Sequence, residues 1–309
     1  MTGSPARNLD SLTATLAGIS SAQPVSASLF DFQDGRSWAF DGDRQFHAAS
    51  TIKVAVLAAL YPTLRARGLT ARHRLPIRNQ FASVADGAPY RVMASRDTDA
   101  GIHASVDLTV SIGELAHRMI AISSNLATNL LLEFIGTEQA QRILAETGIT
   151  GVELVRGVED DRAFDAGISN RITANGLLTL LRAIVEGRFG STEDTQAMIA
   201  TLSAQTFARG IPAGLPPAVR ASARIAHKTG EISTATHDAG IVFLEGRAPY
   251  VLAVLTGASG SPEERYAPIA EVSAAVFEAL SDRRQASGLG ARTSDSGLRT
   301  RDSGFRTSD

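Results

Sequence analysis

Leu9, Leu12, Leu16 and Ile19 recur at helical spacing and predict an N-terminal helix. Val25, Ala27 and Leu29 then alternate with serines, Asp34-Gly35 offers a turn, and Trp38 and Phe40 alternate again. That is the pattern of a β-hairpin. After Ser50, the run Thr51–Leu60 is rich in Ala, Val and Leu, as expected of a helix buried nearly all round. Residues 76–110 are rich in Gly, Asp and Ser and show no regular period. Helical periodicity resumes at Ser111–Ala121, Asn125–Ile135, Thr137–Thr147, Asn175–Glu186 and Glu193–Leu202. The aperiodic Arg156–Arg171 between them reads as a long loop. Strands are predicted at Ile225–Lys228, Ala239–Phe243 and Tyr250–Leu255, and a helix at Pro262–Leu280.

Strands, a long helical insert, more strands and a last helix do not alternate as β-α units. The order predicts an α+β fold, an antiparallel sheet flanked by the terminal helices with an inserted all-helical lobe. The sheet lobe is expected at about 1–49 and 215–284, the helical lobe at about 50–214, with a cleft between them. Together they make one catalytic domain over 1–284. Residues 285–309 differ: Thr293–Arg299 (TSDSGLR) nearly repeats as Thr300–Arg306 (TRDSGFR). A polar repeat without apolar a and d positions is not a coiled coil, and a disordered low-complexity tail is expected.

Composition narrows the chemistry. Hydrophobic residues make up 44% and charged residues 20% of 309, an ordinary globular balance. The net charge of −2 gives no basic field for nucleic acid. With no cysteine, disulfides, thiol nucleophiles and thiolate metal sites are excluded. The longest aliphatic run, Val54–Leu60, is too short to span a bilayer, and no signal peptide is visible in residues 1–24. Of the 30 basic residues only Lys53 and Lys228 are lysines; the rest are arginines. An arginine cannot release its proton, whereas burial can tune a lysine, so each lysine is a candidate for chemistry. The histidines show no metal-ligand spacing, and neither a metal nor a cofactor is expected. His227 and His237 read as structural or supporting residues.

Both lysines fall inside short polar segments. In Ser50-Thr51-Ile52-Lys53, a helix would bring the Ser50 hydroxyl and the Lys53 amine to one face, near a helix N-terminus that favours an alkoxide. Ile122-Ser123-Ser124-Asn125, between two helices, offers a hydroxyl and an amide; alone it would read as a helix break with a serine cap. His227-Lys228-Thr229-Gly230 ends a predicted strand, offering a cation, a hydroxyl and a glycine that lets another backbone approach.

Together these segments resemble the three motifs of the penicillin-recognising serine hydrolases, nearest the class A β-lactamases. Gly113-Glu114-Leu115, Asn125–Leu132 and Ile211–Pro216 are similar to the family as well, and the resemblance spans roughly residues 9–282. It implies an acyl-enzyme on Ser50, with Lys53 as its base and Ser123 relaying a proton to the leaving nitrogen. Asn125 would bond the substrate amide, and Lys228, Thr229 and Gly230 would line the site of the substrate carboxylate. The amides of Ser50 and Glu231 would form the oxyanion hole. The implied partner is a small molecule, a β-lactam, a D-Ala peptide or an ester. Neither nucleic acid nor a membrane span is expected, and the chain is read as an extracytoplasmic monomer.

Two departures bear on the chemistry. Ser124 stands where the family usually has Asp, so altered packing is expected there. The loop Arg156–Asp165 lacks the family's E-x-x-L-N pattern: Val158 takes the position of the deacylating Glu, and Glu159 comes one residue late. Glu159 is expected either to swing in or to form a surface salt bridge. Besides β-lactam hydrolysis, the alternatives are a D-alanyl-D-alanine carboxypeptidase, an esterase, or a penicillin-binding module that deacylates slowly. Glu231 is expected to share a face with Thr229 and to set a negative charge in the substrate groove, unless it turns to solvent or pairs with Lys228.

Overall fold

The structure, a computed structural model, describes residues 5–257 and 260–290. Five strands, β1 (Val25–Asp31), β2 (Arg36–Phe40), β3 (Arg224–Ile232), β4 (Ala235–Phe243) and β5 (Tyr250–Gly257), form one antiparallel sheet. Their spatial order is β3-β4-β5-β1-β2. β1 and β5 meet in the register Leu29↔Leu252, so strands from the two ends of the chain close one sheet. The fold is α+β, as the order of patterns predicts.

Helices cover both faces. On one, α1 (Pro5–Ser20) and α8 (Pro262–Gly290) set Leu12, Leu16, Ile269 and Val272 against Ala27, Leu29, Leu252 and Val254. On the other lies a helical lobe of α2 (Lys53–Ala66), α3 (Ile112–Ala121), α4 (Asn125–Ile135), α5 (Thr137–Glu146), α6 (Ala174–Val185) and α7 (Thr192–Ser203). α2 touches each of the other five, and Val54–Leu60 are all buried, which is why its apolar residues follow no stripe. Each covered Val or Leu there contributes about 1.5–3 kcal/mol.

Two layers of helix change what alternation means in β1. All seven of its residues are buried, Ser26 and Ser28 included. Ser26 Oγ donates to Asp41 O (2.7 Å) and Ser28 Oγ to Asn175 Oδ1 (2.6 Å). The apolar residues face the terminal helices, while the serines face the helical lobe, where partners replace water. Side-chain caps set several helix starts near the expected ones: Ser111 for α3, Thr173 for α6 and a Ser191–Asp194 capping box for α7.

Two boundaries and three short helices differ from expectation. β3 continues four residues past Lys228 because Thr229–Ile232 pair along β4, with Thr229↔Asp238 and Glu231↔Thr236. α8 runs to Gly290, overlapping the start of the expected tail, through the helix formers Arg, Gln and Ala. The remainder of that tail, 291–309, lies outside the described residues. Short helices, Ala100–His103, Asp161–Asp165 and Pro217–Ser222, occupy stretches that showed no period, being too short to leave one. Among the described residues no helix is long and apolar enough to cross a membrane.

Candidate active site

Ser50 lies in a turn of 3₁₀ helix, Ala49–Ile52, that runs straight into α2. The sequence reading expects α-helix here; in the tighter turn residues three apart eclipse, so Ser50 and Lys53 still share a side. Ala49 has a φ of 45°, in the left-handed region that costs a non-glycine residue energy, and the chain enters the turn through it. Ser50 opens on a cleft of about 610 Å³, lined also by Asn125, Glu159 and Glu231.

Lys53 is fully buried and points away from bulk water. Its Nζ donates to Ser123 O (2.7 Å) and Asn125 Oδ1 (2.8 Å) and lies 3.2 Å from Ser123 Oγ. Burial brings its ammonium down to about 7, with the charges of Asp97 and Glu159 opposing the fall. A lysine at that value exchanges protons at neutral pH.

Its partners come from the turn between α3 and α4. Ser123 takes a φ of 62°, and this left-handed residue carries both its carbonyl and its hydroxyl to Lys53. Ser124 is buried and caps α4, accepting from Ala127 N (3.2 Å). Both ends of the Asn125 side chain are occupied: Oδ1 accepts from Lys53, and Nδ2 donates to Glu159 Oε1 (2.7 Å). Asn125 thus links the lysine to the acidic loop, a contact that the reading of a substrate-binding amide leaves out.

Glu159 does swing in. Its side chain is only 6% exposed, and Oε2 accepts from Met93 N (3.0 Å) while Arg96 Nε lies 3.8 Å away. Glu159 has a φ of 58°, in the left-handed region. Around it the loop is anchored at three points. Asn129 brackets Val158, accepting from its N–H (2.8 Å) and donating to its carbonyl (2.9 Å). Asp160 accepts from Ser83 Oγ (2.7 Å) and Val84 N (3.0 Å). Asn170 accepts from Val155 N (2.8 Å) and Arg156 N (3.0 Å), clasping the loop's two ends.

The third wall is β3. Lys228 is fully buried, and its Nζ donates to Thr229 O (2.8 Å). Burial, and then the neighbouring charge of Lys53, hold its ammonium well below the lysine range, against the pull of Asp238. The two lysines thus share one desolvated region, in which the charge of Lys53 disfavours that of Lys228. At Gly230 a Cβ would come 3.0 Å from Ser50 N and 2.9 Å from Thr51 N, so only glycine lets the strand approach the serine's amide this closely. Glu231 lines the cleft, yet it pairs with Arg265 of α8 (3.4 Å) and not with Lys228. Thr229 and Glu231, two apart on β3, lie on the same side of the strand. His227 binds Asp238 (2.9 Å), and His237 binds His47 O (2.9 Å); burial lowers His237 to about 4, leaving it neutral.

The structure therefore brings Lys53, Ser123, Asn125 and Glu159 into one bonded set, with Ser50 and β3 beside it. The sequence reading missed Asp97. Its fully buried carboxylate accepts from Asn125 N (3.0 Å) and Leu126 N (2.9 Å) and lies 3.0 Å from His103 Nε2. The only trace in the sequence is a pair of acids, Asp97 and Asp99, in an irregular stretch.

Known proteins resemble this chain in sequence and fold. A "Beta-lactamase" from Bacteroides uniformis is 27% identical over 187 residues, 56% of this chain and 62% of that protein, so the chain spans under two thirds of that relative's length. "Beta-lactamase AST-1" from Nocardia asteroides is 29% identical over 255 residues, 81% of this chain and 77% of that one. The crystal structure of a β-lactamase from Sphaerobacter thermophilus superposes with a TM-score of 0.72 at 25% identity, covering 89% of this chain and 97% of that one. A family model described as the "Beta-lactamase enzyme family" matches residues 10–280. The chain belongs to the β-lactamase enzyme family, within the superfamily of serine β-lactamases and transpeptidases.

Proposed function

We propose that this hydrolase opens β-lactam rings through an acyl-enzyme on Ser50 and releases the product with water. The observation that carries the reading is Lys53: a buried amine near 7, bonded to Ser123 and tied through Asn125 to Glu159. About half of such a lysine is neutral at pH 7 and able to accept a proton. Neutral Lys53 takes the Ser50 proton as Oγ attacks the lactam carbonyl carbon. The amides of Ser50 and Glu231 receive the developing oxyanion, a role supported by the close approach of Gly230 to Ser50 N. The C–N bond breaks as Ser123 protonates the nitrogen, and Lys53, 3.2 Å from that hydroxyl, resupplies the proton. Thr229 and Lys228 hold the substrate carboxylate. Glu159 orients the water that deacylates Ser50. An extracytoplasmic location goes with this activity.

One observation favours a second reading. Glu159 has its oxygens engaged by Asn125 and Met93 N and reaches the site from one position late, so slow deacylation, as in a penicillin-binding module, fits the same geometry. Incubation with a chromogenic β-lactam, followed by intact-mass spectrometry, separates the two. Turnover without accumulated adduct supports hydrolysis, a persistent adduct the slow module, and neither turnover nor adduct with a β-lactam overturns both. Ser50→Ala should abolish the adduct; one that persists removes Ser50 from the mechanism.

A further inference from the structure

Asp97 is a buried carboxylate outside the three motifs, and the steps above make no use of it. It sits four residues past Met93, whose amide holds Glu159, and Asp97 itself reaches the first turn of α4. There it binds the amides of Asn125 and Leu126, two of the four N–H groups that a helix leaves without internal partners. Its other contacts are His103 Nε2 at 3.0 Å, the amide of Asp99 at 3.2 Å and, at 3.5 Å, Ser124 Oγ. Ser124 is at the same time the cap of α4, through Ala127 N. The helix start is therefore held by two groups: a hydroxyl inside the turn and a carboxylate brought from another segment.

The turn needs such holding. Ser123 stands at a φ of 62°, a left-handed conformation that a non-glycine residue keeps only where its surroundings enforce it. Its reward is local: the carbonyl and hydroxyl of Ser123 and the side chain of Asn125 all meet Lys53. A carboxylate on Asn125 N and Leu126 N sits where the helix dipole favours negative charge and pins the two residues directly after the strained one.

We propose that Asp97 is a positioning residue for acylation: from outside the motif it supplies the carboxylate that Ser124 lacks, and it holds the Ser123–Asn125 turn on Lys53. The proposal rests on Lys53 acting as the base. A second consequence follows from charge. The charged groups acting on Lys53 are Asp97 from the segment after Val92 and Glu159 from the acidic loop, and both favour its ammonium; Lys228 of β3 shares its desolvated region and has its own ammonium disfavoured by Lys53. Removing the Asp97 charge therefore lowers the pH at which Lys53 becomes neutral. The pH shift reports the charge of Asp97 acting on Lys53, and recovery of the rate by a carboxylate at position 124 reports the holding of the turn.

The test uses the full chain, Ser50 labelling by a chromogenic β-lactam, and hydrogen exchange of the segment 122–128. Asp97→Asn should label at least tenfold more slowly at pH 7, with the acid limb of the rate moved to lower pH and exchange in 122–128 accelerated. Adding Ser124→Asp returns a carboxylate to the turn and should recover most of the rate and the exchange protection. A wild-type labelling rate in Asp97→Asn, or slow labelling with an unmoved acid limb, overturns the proposal. Failure of Ser124→Asp to recover either quantity overturns it as well. If Asp97→Asn does not fold, the Asp97→Ala, Ser124→Asp double variant decides by the same two readouts. Absence of labelling in the wild type would instead indict the proposed activity, and the exchange measurement would still decide the role of Asp97 in holding the turn.

Discussion

Replacing Lys53 by methionine should change how stability depends on pH. The side chain keeps its length and loses its charge. In the folded chain Lys53 titrates near 7 against its ordinary 10.5, a gap worth about 5 kcal/mol at ~1.4 kcal/mol per pH unit. The sign follows from proton counting. Between about pH 7 and 10.5 the unfolded chain holds a proton on Lys53 that the folded chain has released, so stability rises with pH across that window. Below 7 both states are protonated and the penalty of burying the ammonium is complete. From pH 6 to pH 9 the wild type should gain about 3 kcal/mol from this residue, and Lys53→Met should lack that gain. The hydrogen bonds lost at Ser123 O and Asn125 Oδ1 are missing at both pH values and cancel in the comparison. Lys228 adds to the effect in the same direction: its ammonium is held down partly by Lys53, so its own contribution shrinks in the variant. Urea unfolding of both proteins at pH 6 and pH 9 measures the difference. Equal pH dependence in the two would falsify the depressed lysine and, with it, Lys53 as a base at neutral pH.

Three further outcomes are expected. Glu159→Gln should acylate at a near-normal rate and then hold its adduct, giving a burst followed by turnover at least tenfold slower; unchanged steady-state turnover would free Glu159 from any part in deacylation. Glu231→Ala removes a carboxylate from the cleft and frees Arg265, so penicillin turnover should rise more than turnover of a neutral ester; the existing pairing at 3.4 Å limits the gain to a few-fold, and equal effects on both substrates would refute a charge role. Gly230→Ala forces a Cβ to 3.0 Å from Ser50 N and should cost about 1–3 kcal/mol of stability together with most of the labelling rate, read by thermal unfolding and by adduct formation; a variant as fast and as stable as wild type would show that the strand can yield.

How much of this was legible beforehand follows from the range of each signal. Helices such as Asn125–Ile135 span three turns of regular burial, so their period showed in the sequence and their ends were marked by cap residues. The lysines of the site stood out because arginine carries every other positive charge. By contrast, the serines of β1 alternate in the sequence whether their face meets water or another layer, and only the packing of α6 made them buried donors. Glu159 was ambiguous for the same kind of reason: whether its carboxylate turns inward to Asn125 and Met93 N depends on the loop's backbone, a φ of 58° included, which no side-chain pattern records.

The identity of the groups was set locally, by Ser50 and Lys53 three apart, by Ser123 at a helix break and by a glycine after Lys228 and Thr229. Their state was not. The value near 7 at Lys53 comes from burial, opposed by the charges of Asp97 and Glu159, 44 and 106 positions along the chain. A local sequence window carries residue type and periodicity, whereas desolvation and Coulomb interaction depend on three-dimensional distance. The chain therefore announced which residues could do chemistry, and tertiary packing decided which of them hold a proton at neutral pH and which acids act on them.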